Sequence, residues 1–223
     1  MRLSALLFTF FIVALAALFF LQGTGMADKT VSASVSKSGK SDDLMDHKPD
    51  GYPVAVFAGG CFWCVESEFR AVNGVLYTRV GYTGGHIDHP RYEDTHNSKS
   101  GHAEAVEVTY DPKQVSFKDL VEFFLVRAHD PTQLNRQGPD VGTQYRSAIF
   151  YQDAKQKRIA QEVIDDVNAR KIYDKPIVTT LEPAATFWQA ENYHQQYYEK
   201  YEKKYGHPHI NDWLNRQRDK MTK

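Results

Sequence analysis

The run Val54-Ala-Val-Phe-Ala-Gly-Gly-Cys61-Phe62-Trp63-Cys64 leads from a short apolar strand through two glycines to a cysteine at an expected helix start. A thiol there meets unpaired backbone N–H groups and the positive end of a helix, which favours the thiolate. Gly59 and Gly60 let other groups come close to the turn. Cys64 follows one helical turn later, so both sulfurs lie on one face. They are the only two cysteines in the chain, so the pair could cycle between dithiol and disulfide without a further thiol of its own. A structural bridge is the plainer reading. A loop over two intervening residues removes little unfolded-state entropy, however, so such a bridge suits redox cycling better than stabilisation. As a metal site the pair supplies half of a zinc ligand set, and no metal is expected.

Glu104 is the second candidate. At strand spacing it shares a face with Val106, Val108 and Tyr110. A carboxyl on a buried face loses hydration, its pKa rises, and it becomes a general acid near neutral pH. The alternative is a carboxylate paired with an arginine. Phe62 and Trp63, beside the thiol, are either core or an apolar cage for a methyl or thioether group. Tyr92, Tyr145 and Asp140 lie in two polar loops, where a phenol can hold an oxygen acceptor without adding charge. His194 sits among tyrosines, a setting typical of a hydrogen-bonded packing residue, and is kept as a candidate substrate contact. His86, His89, His96 and His102 lack ligand spacing and read as solvated loop positions.

These residues need a scaffold. Strands are expected at Val54–Ala58, Val75–Tyr82, Ala103–Tyr110, Ala148–Tyr151 and, as the last, Ile177–Leu181. Helices are expected after Cys61, from Phe117 to Ala128 behind Ser116 and Asp119, and from Asp153 to about Arg170. Between them run a polar loop from His86 to Gly101 and another from Thr132 to Arg146, too poor in apolar residues to pack as core. Beyond Phe187, Tyr193, Tyr197, Tyr198, Tyr201 and Tyr205 suggest a helical wrap over the body. The alternation indicates a mixed α/β class with helices packed on a sheet.

The 223 residues carry a formal charge of −1, which lacks the footprint of a nucleic-acid binder. Residues 1–27 hold one arginine, an apolar run from Leu3 to Leu21 and small residues ending at Ala27, which fits a secretory signal or an uncleaved membrane anchor. Both place the remainder outside the cytoplasm, with the periplasm as the expected compartment. Residues 28–51 read as a disordered tether, 52–213 as one catalytic domain and 214–223 as a tail. A monomer is expected.

Gly-Gly-Cys61-Phe62-Trp63, Gly81-Tyr-Thr-Gly-Gly, Gly101-His-Ala-Glu104, His129-Asp-Pro-Thr and Gly142-Thr-Gln-Tyr145-Arg-Ser occur in this order. With them the chain resembles the peptide methionine sulfoxide reductase A family over roughly residues 53–200. The resemblance implies a single-domain two-layer α/β (α+β) sandwich with a ferredoxin-like βαβ core and long decorating loops. It also implies roles: Cys61 attacks the sulfoxide sulfur, Glu104 protonates its oxygen, Tyr92 and Tyr145 hydrogen-bond that oxygen, and Asp140 completes the site. Phe62 and Trp63 would enclose the methyl group, and the S epimer would be the substrate, preferred in proteins over free methionine sulfoxide.

A family glycine is often found where Cys64 stands, and the C-terminal cysteines common in the family are missing. Cys64 is therefore expected to resolve the Cys61 sulfenic acid, with the disulfide reopened by a thioredoxin-like donor, or by dithiothreitol in vitro. No bound cofactor is implied. The rival reading is a general dithiol–disulfide oxidoreductase using Cys-x-x-Cys, which would be indifferent to loss of Glu104.

Overall fold

The computed structural model describes residues 47–96 and 99–209. The leader 1–27, most of the tether 28–51 and the tail after 213 lie outside the described residues. Within the tether, Lys48 does pair with Glu107 at 2.8 Å.

Strand β1 (Val54–Gly59) is buried along almost its whole length and lies at the centre of a six-stranded sheet. From it the chain turns through Gly60 into helix α1 (Phe62–Arg70), then enters β2 (Val75–Thr83). Short helix α2 (Tyr92–Thr95) interrupts the first polar loop before β3 (Ala103–Tyr110). Helix α3 (Phe117–Phe123) opens on a reciprocal capping pair, Ser116 with Asp119. Two-residue strands β4 (Arg136–Gln137) and β5 (Asp140–Val141) form a separate hairpin, followed by β6 (Ser147–Tyr151), α4 (Ala154–Ala169), β7 (Thr180–Pro183), β8 (Trp188–Gln189) and α5 (Tyr197–Tyr205).

The sheet order is β7-β6-β1-β3-β2-β8. Its inner four strands pair antiparallel throughout, with β3 inserted between β1 and β2. That insertion is the split βαβ arrangement of a ferredoxin-like core, so the expected fold is the observed one. One face of the sheet meets α1, α3 and α4 through Phe57, Phe69, Leu120, Phe124 and Val163. Phe57 stacks on Phe69 with centroids 4.7 Å apart. The other face is made of small side chains, Ala58, Ala103, Ala105 and Ala148, closed by Phe150 and Phe187.

Several elements differ from the expectation. The helix starting at Phe117 does not stay α-helical to Ala128 but widens into a π-turn at Phe124–Ala128, whose freed Phe124 carbonyl lies 2.9 Å from His129 Nδ1. The final pairing is shifted and extended. Ile177 and Val178 spend their N–H groups on Asn168 and on the Pro131 carbonyl, so β7 begins at Thr180. The two-residue β8 then docks on β2 at Gly81, where any Cβ would collide with the Trp188 carbonyl. The loop from Thr132 carries the β4–β5 hairpin and a tight turn at Thr143–Tyr145, both local structures without an apolar pattern to announce them.

Candidate active site

The two glycines before Cys61 are required by close packing. A Cβ on Gly60, whose φ is +92°, would sit 2.5 Å from Gln137 of the β4 hairpin. One on Gly59 would come 2.8 Å from the Phe124 ring. The turn thus presses the hairpin and the π-turn against the start of α1. Cys61 caps that helix by its backbone: its carbonyl accepts from Cys64 N–H at 3.1 Å and Val65 N–H at 3.3 Å. Its sulfur caps nothing.

The first free N–H of the helix, that of Phe62, instead donates to Glu104 Oε2 at 3.1 Å. This changes the electrostatics expected of Cys61. The hydrogen bond to Cys64, burial, and the negative charges of Cys64 and Glu104 push the Cys61 thiol well up, so the helix start does not hold it as an anion. Cys64 moves the other way, drawn down by the Cys61 thiol and further by Tyr198, against the cost of burial. Both cysteines are half-buried free thiols. The pair shares its protons, and moving one from Cys61 to Cys64 makes Cys61 the nucleophile.

Glu104 is 3% exposed on β3, opposite Tyr82 of β2. Burial pushes it up to about 8, with Asp140 and Cys64 adding to the rise and the Phe62 N–H opposing it. At neutral pH it is mostly a neutral acid.

Tyr92 opens α2 and Tyr145 closes the tight turn before β6. Burial first, and then the charge of Glu104, lifts both phenols, so both remain O–H donors. Asp140, on the hairpin, is raised by burial and acts on Glu104, Tyr92, Tyr145 and Cys64 alike. The sequence-selected groups therefore converge from five elements.

Phe62 and Trp63 divide their roles. Phe62 is 1% exposed and packs on Tyr82, with ring centroids 5.9 Å apart, so it is a wall set into the core. Trp63 is half-buried and stacks on Tyr197 at 3.8 Å. Its indole N–H donates to His194 Nδ1 at 3.1 Å. An indole only donates, so His194 must accept at Nδ1 and carry its proton on Nε2, which faces Glu191 at 3.8 Å. Burial accordingly pushes His194 below the ordinary histidine value. It packs the cage as expected, with Phe62, Trp63, Tyr92 and Tyr193 around it.

The other histidines differ from expectation in one case. His102 is 2% exposed, bonded by Gly85 N–H at 3.1 Å and lying 2.8 Å from the Ile87 carbonyl, and so ties the loop ends together. Among the described residues no group of three or more His, Cys, Asp or Glu is placed to hold a metal ion.

Sequence reasoning passed over four residues around the site. Tyr82 donates to Glu191 at 3.1 Å, and Glu191 also accepts the Tyr92 N–H at 3.1 Å, so this pair seats α2. Glu66, buried on α1 and pushed up to about 7 by loss of hydration, takes the Gln196 N–H at 2.8 Å. Tyr198 places its hydroxyl 3.1 Å from Cys64 Sγ. The only sign of the last of these in the sequence is its place among the tyrosines expected to wrap the body.

A thiol that a neighbouring thiolate can deprotonate, a neutral carboxylic acid beside it, two phenols and an apolar cage are the parts needed to take oxygen from a sulfur. The family model "Peptide methionine sulfoxide reductase" matches residues 53–223. The chain is 48% identical over 163 residues to peptide methionine sulfoxide reductase MsrA of Methanosarcina acetivorans, covering 73% of this chain and 86% of that protein. It is 54% identical over 149 residues to the MsrA of Methanothermobacter thermautotrophicus, covering 67% and 88%. Among solved structures it resembles Mxr1 from Saccharomyces cerevisiae in reduced form, with a TM-score of 0.64, 30% identity and coverage of 70% and 89%. Methionine sulfoxide reductase A of Corynebacterium diphtheriae matches with a TM-score of 0.59, 38% identity and coverage of 68% and 76%. The motifs around Cys61, the split βαβ sheet and these relatives agree, and the chain belongs to the peptide methionine sulfoxide reductase family, oxidoreductases that return methionine sulfoxide to methionine.

Proposed function

We propose that this reductase acts on the S epimer of methionine sulfoxide in proteins through a sulfenic acid on Cys61, with Cys64 as resolving thiol. The observation that carries the reading is Glu104, buried, uncharged near neutral pH and bonded to the backbone of the residue after Cys61. Sulfoxide oxygen leaves poorly until protonated, so an acid held within the nucleophile's own turn meets the chemical need.

In the first step a lone pair of the Cys61 sulfur attacks the sulfoxide sulfur while Glu104 gives its proton to the oxygen. Tyr92 and Tyr145 donate to that same oxygen, and Phe62 with Trp63 surrounds the methyl group. The hydroxyl then passes from the substrate sulfur to Cys61: a Cys61 S–O bond forms, the substrate S–O bond and the bond between the two sulfurs break, and methionine leaves with Cys61 as S–OH. Substrate sulfur gains two electrons and Cys61 loses them. Cys64, one helical turn away and hydrogen-bonded to Cys61, then closes a disulfide. A thioredoxin-like dithiol outside the cytoplasm reopens it, in keeping with the signal-like residues 1–27.

A single turnover without reductant tests this. One equivalent of the S epimer in a peptide yields about one methionine per enzyme with loss of both free thiols. Turnover of the R epimer, or methionine released with both thiols intact, contradicts the reading.

A further inference from the structure

Helix α5 is fastened to α1 at three successive points. Trp63 stacks on Tyr197, Glu66 takes the N–H of Gln196, and Arg70 pairs with Glu199. Gln196 enters α5 in a left-handed conformation, φ +51°, the strained backbone that lets its N–H turn back to Glu66. Between these ties stands Tyr198, 2% exposed, its ring stacked on His209 at 5.1 Å. Its hydroxyl lies 3.1 Å from Cys64 Sγ. A buried phenol O–H held this firmly is not a chance neighbour of a thiol, because the fold fixes both the ring and the helix that carries the sulfur.

We propose that Tyr198 is a positioning residue for the resolving step, its hydroxyl holding the Cys64 sulfur as an anion aimed at the sulfenic sulfur of Cys61. The inference rests on the reading of Cys64 as resolving thiol and extends it. In the step concerned, a lone pair of the Cys64 thiolate forms the S–S bond and the Cys61 S–O bond breaks. The oxygen, with its hydrogen and one proton from solvent, leaves as water. The Cys61 sulfur is reduced, the Cys64 sulfur is oxidised, and the two end as equal halves of the disulfide.

The groups facing Cys64 are Cys61 and Glu68 from its own segment, Tyr198 from α5 and Asp140 from the hairpin. Glu104 of β3 responds to its charge. Of these, the two carboxylates beside it, Glu68 and Asp140, oppose a thiolate on Cys64, while Cys61 and Tyr198 favour it. Once Cys61 has become sulfenic acid, the proton that Cys64 took from it passes to solvent, and the phenol remains to hold the Cys64 charge.

The test is Tyr198→Phe, which keeps the buried ring and removes only the hydroxyl. After one equivalent of peptide sulfoxide, loss of free thiols is followed by acid quench and mass measurement from pH 6 to about 10, the span of ordinary thiol titration. At pH 7 the variant forms the disulfide about tenfold more slowly, since one hydrogen bond to an anion is worth about a pH unit. The deficit vanishes as pH rises past about 8.5, where a free thiol ionises unaided. Identical rates and profiles in variant and wild type, or a deficit of the same factor at every pH, overturn the role of Tyr198. Cys64→Ser runs in parallel. If wild type forms no disulfide, or Cys64→Ser turns over as well as wild type with a protein dithiol donor, the resolving role of Cys64 fails and the inference falls with it.

Discussion

Strand β3 buries two glutamates, and the two have opposite chemistry. Glu104 is 3% exposed and Glu107 is 6% exposed, three residues apart on one strand. Glu107 faces Arg79, which grips it with two hydrogen bonds of 2.9 Å, and Lys48 at 2.8 Å. These cations overcome burial and hold it below the usual carboxylate value. Glu104 has a backbone N–H and phenols near it, with Asp140 and Cys64 as its charged neighbours, so burial prevails and the acid stays protonated. Loss of hydration alone does not decide a carboxyl's role. The sign of its neighbours does.

Removing the Glu104 acid breaks the comparison most severely. Glu104→Gln keeps the shape and is expected to lower sulfoxide turnover by about 10²- to 10⁴-fold, the usual worth of a positioned proton donor, in an assay with dithiothreitol. A loss under about threefold would leave the carboxyl a bystander and return attention to thiol exchange. The pH dependence sharpens the same contrast. Glu104 donates only while protonated, and its value is raised to about 8, so the ratio of wild-type to Glu104→Gln rates should hold below that pH and drop about tenfold per unit above it. Taking the ratio cancels the thiol ionisation common to both enzymes.

The smallest effect belongs to the other glutamate of the strand. Glu107→Gln should leave turnover unchanged and cost about 1 kcal/mol of stability at pH 7, because Arg79 and Lys48 keep enough solvent contact to be rehydrated. The folded value of Glu107 is depressed, so its contribution is present above the unfolded value of about 4.3 and fades as pH falls through the lower folded one. Denaturant titrations of both proteins should therefore converge on acidification. A gap that widens in acid would mean that the ion pair is not what the mutation removed.

Much of the site was legible beforehand because its parts are local. A strand, two glycines and a cysteine define a turn, and the glycines proved necessary for the approach of Gln137 and Phe124. Strand spacing put Glu104 on the face of Val106 and Val108, and both valines lie in the helix-side core. Spacing put Glu107 on the face opposite the valines but could not show that this face is buried as well. Glu191 and Glu66 were invisible for a similar reason. They sit among ordinary charged residues, and partners 99 and 130 positions away make them structural.

The sequence by itself determined the cysteine pair, the candidate carboxyl and a mixed α/β class, because each is written in neighbouring residues and in the period of apolar side chains, whereas the split βαβ plan came only with the family resemblance. Charge was decided only by the fold. The helix-start N–H goes to Glu104 and leaves the Cys61 sulfur without it, and Tyr198 meets Cys64 from 134 residues away. Ionisation depends on every dipole and charge within a few ångströms, and chain position alone does not say which of them burial will bring together.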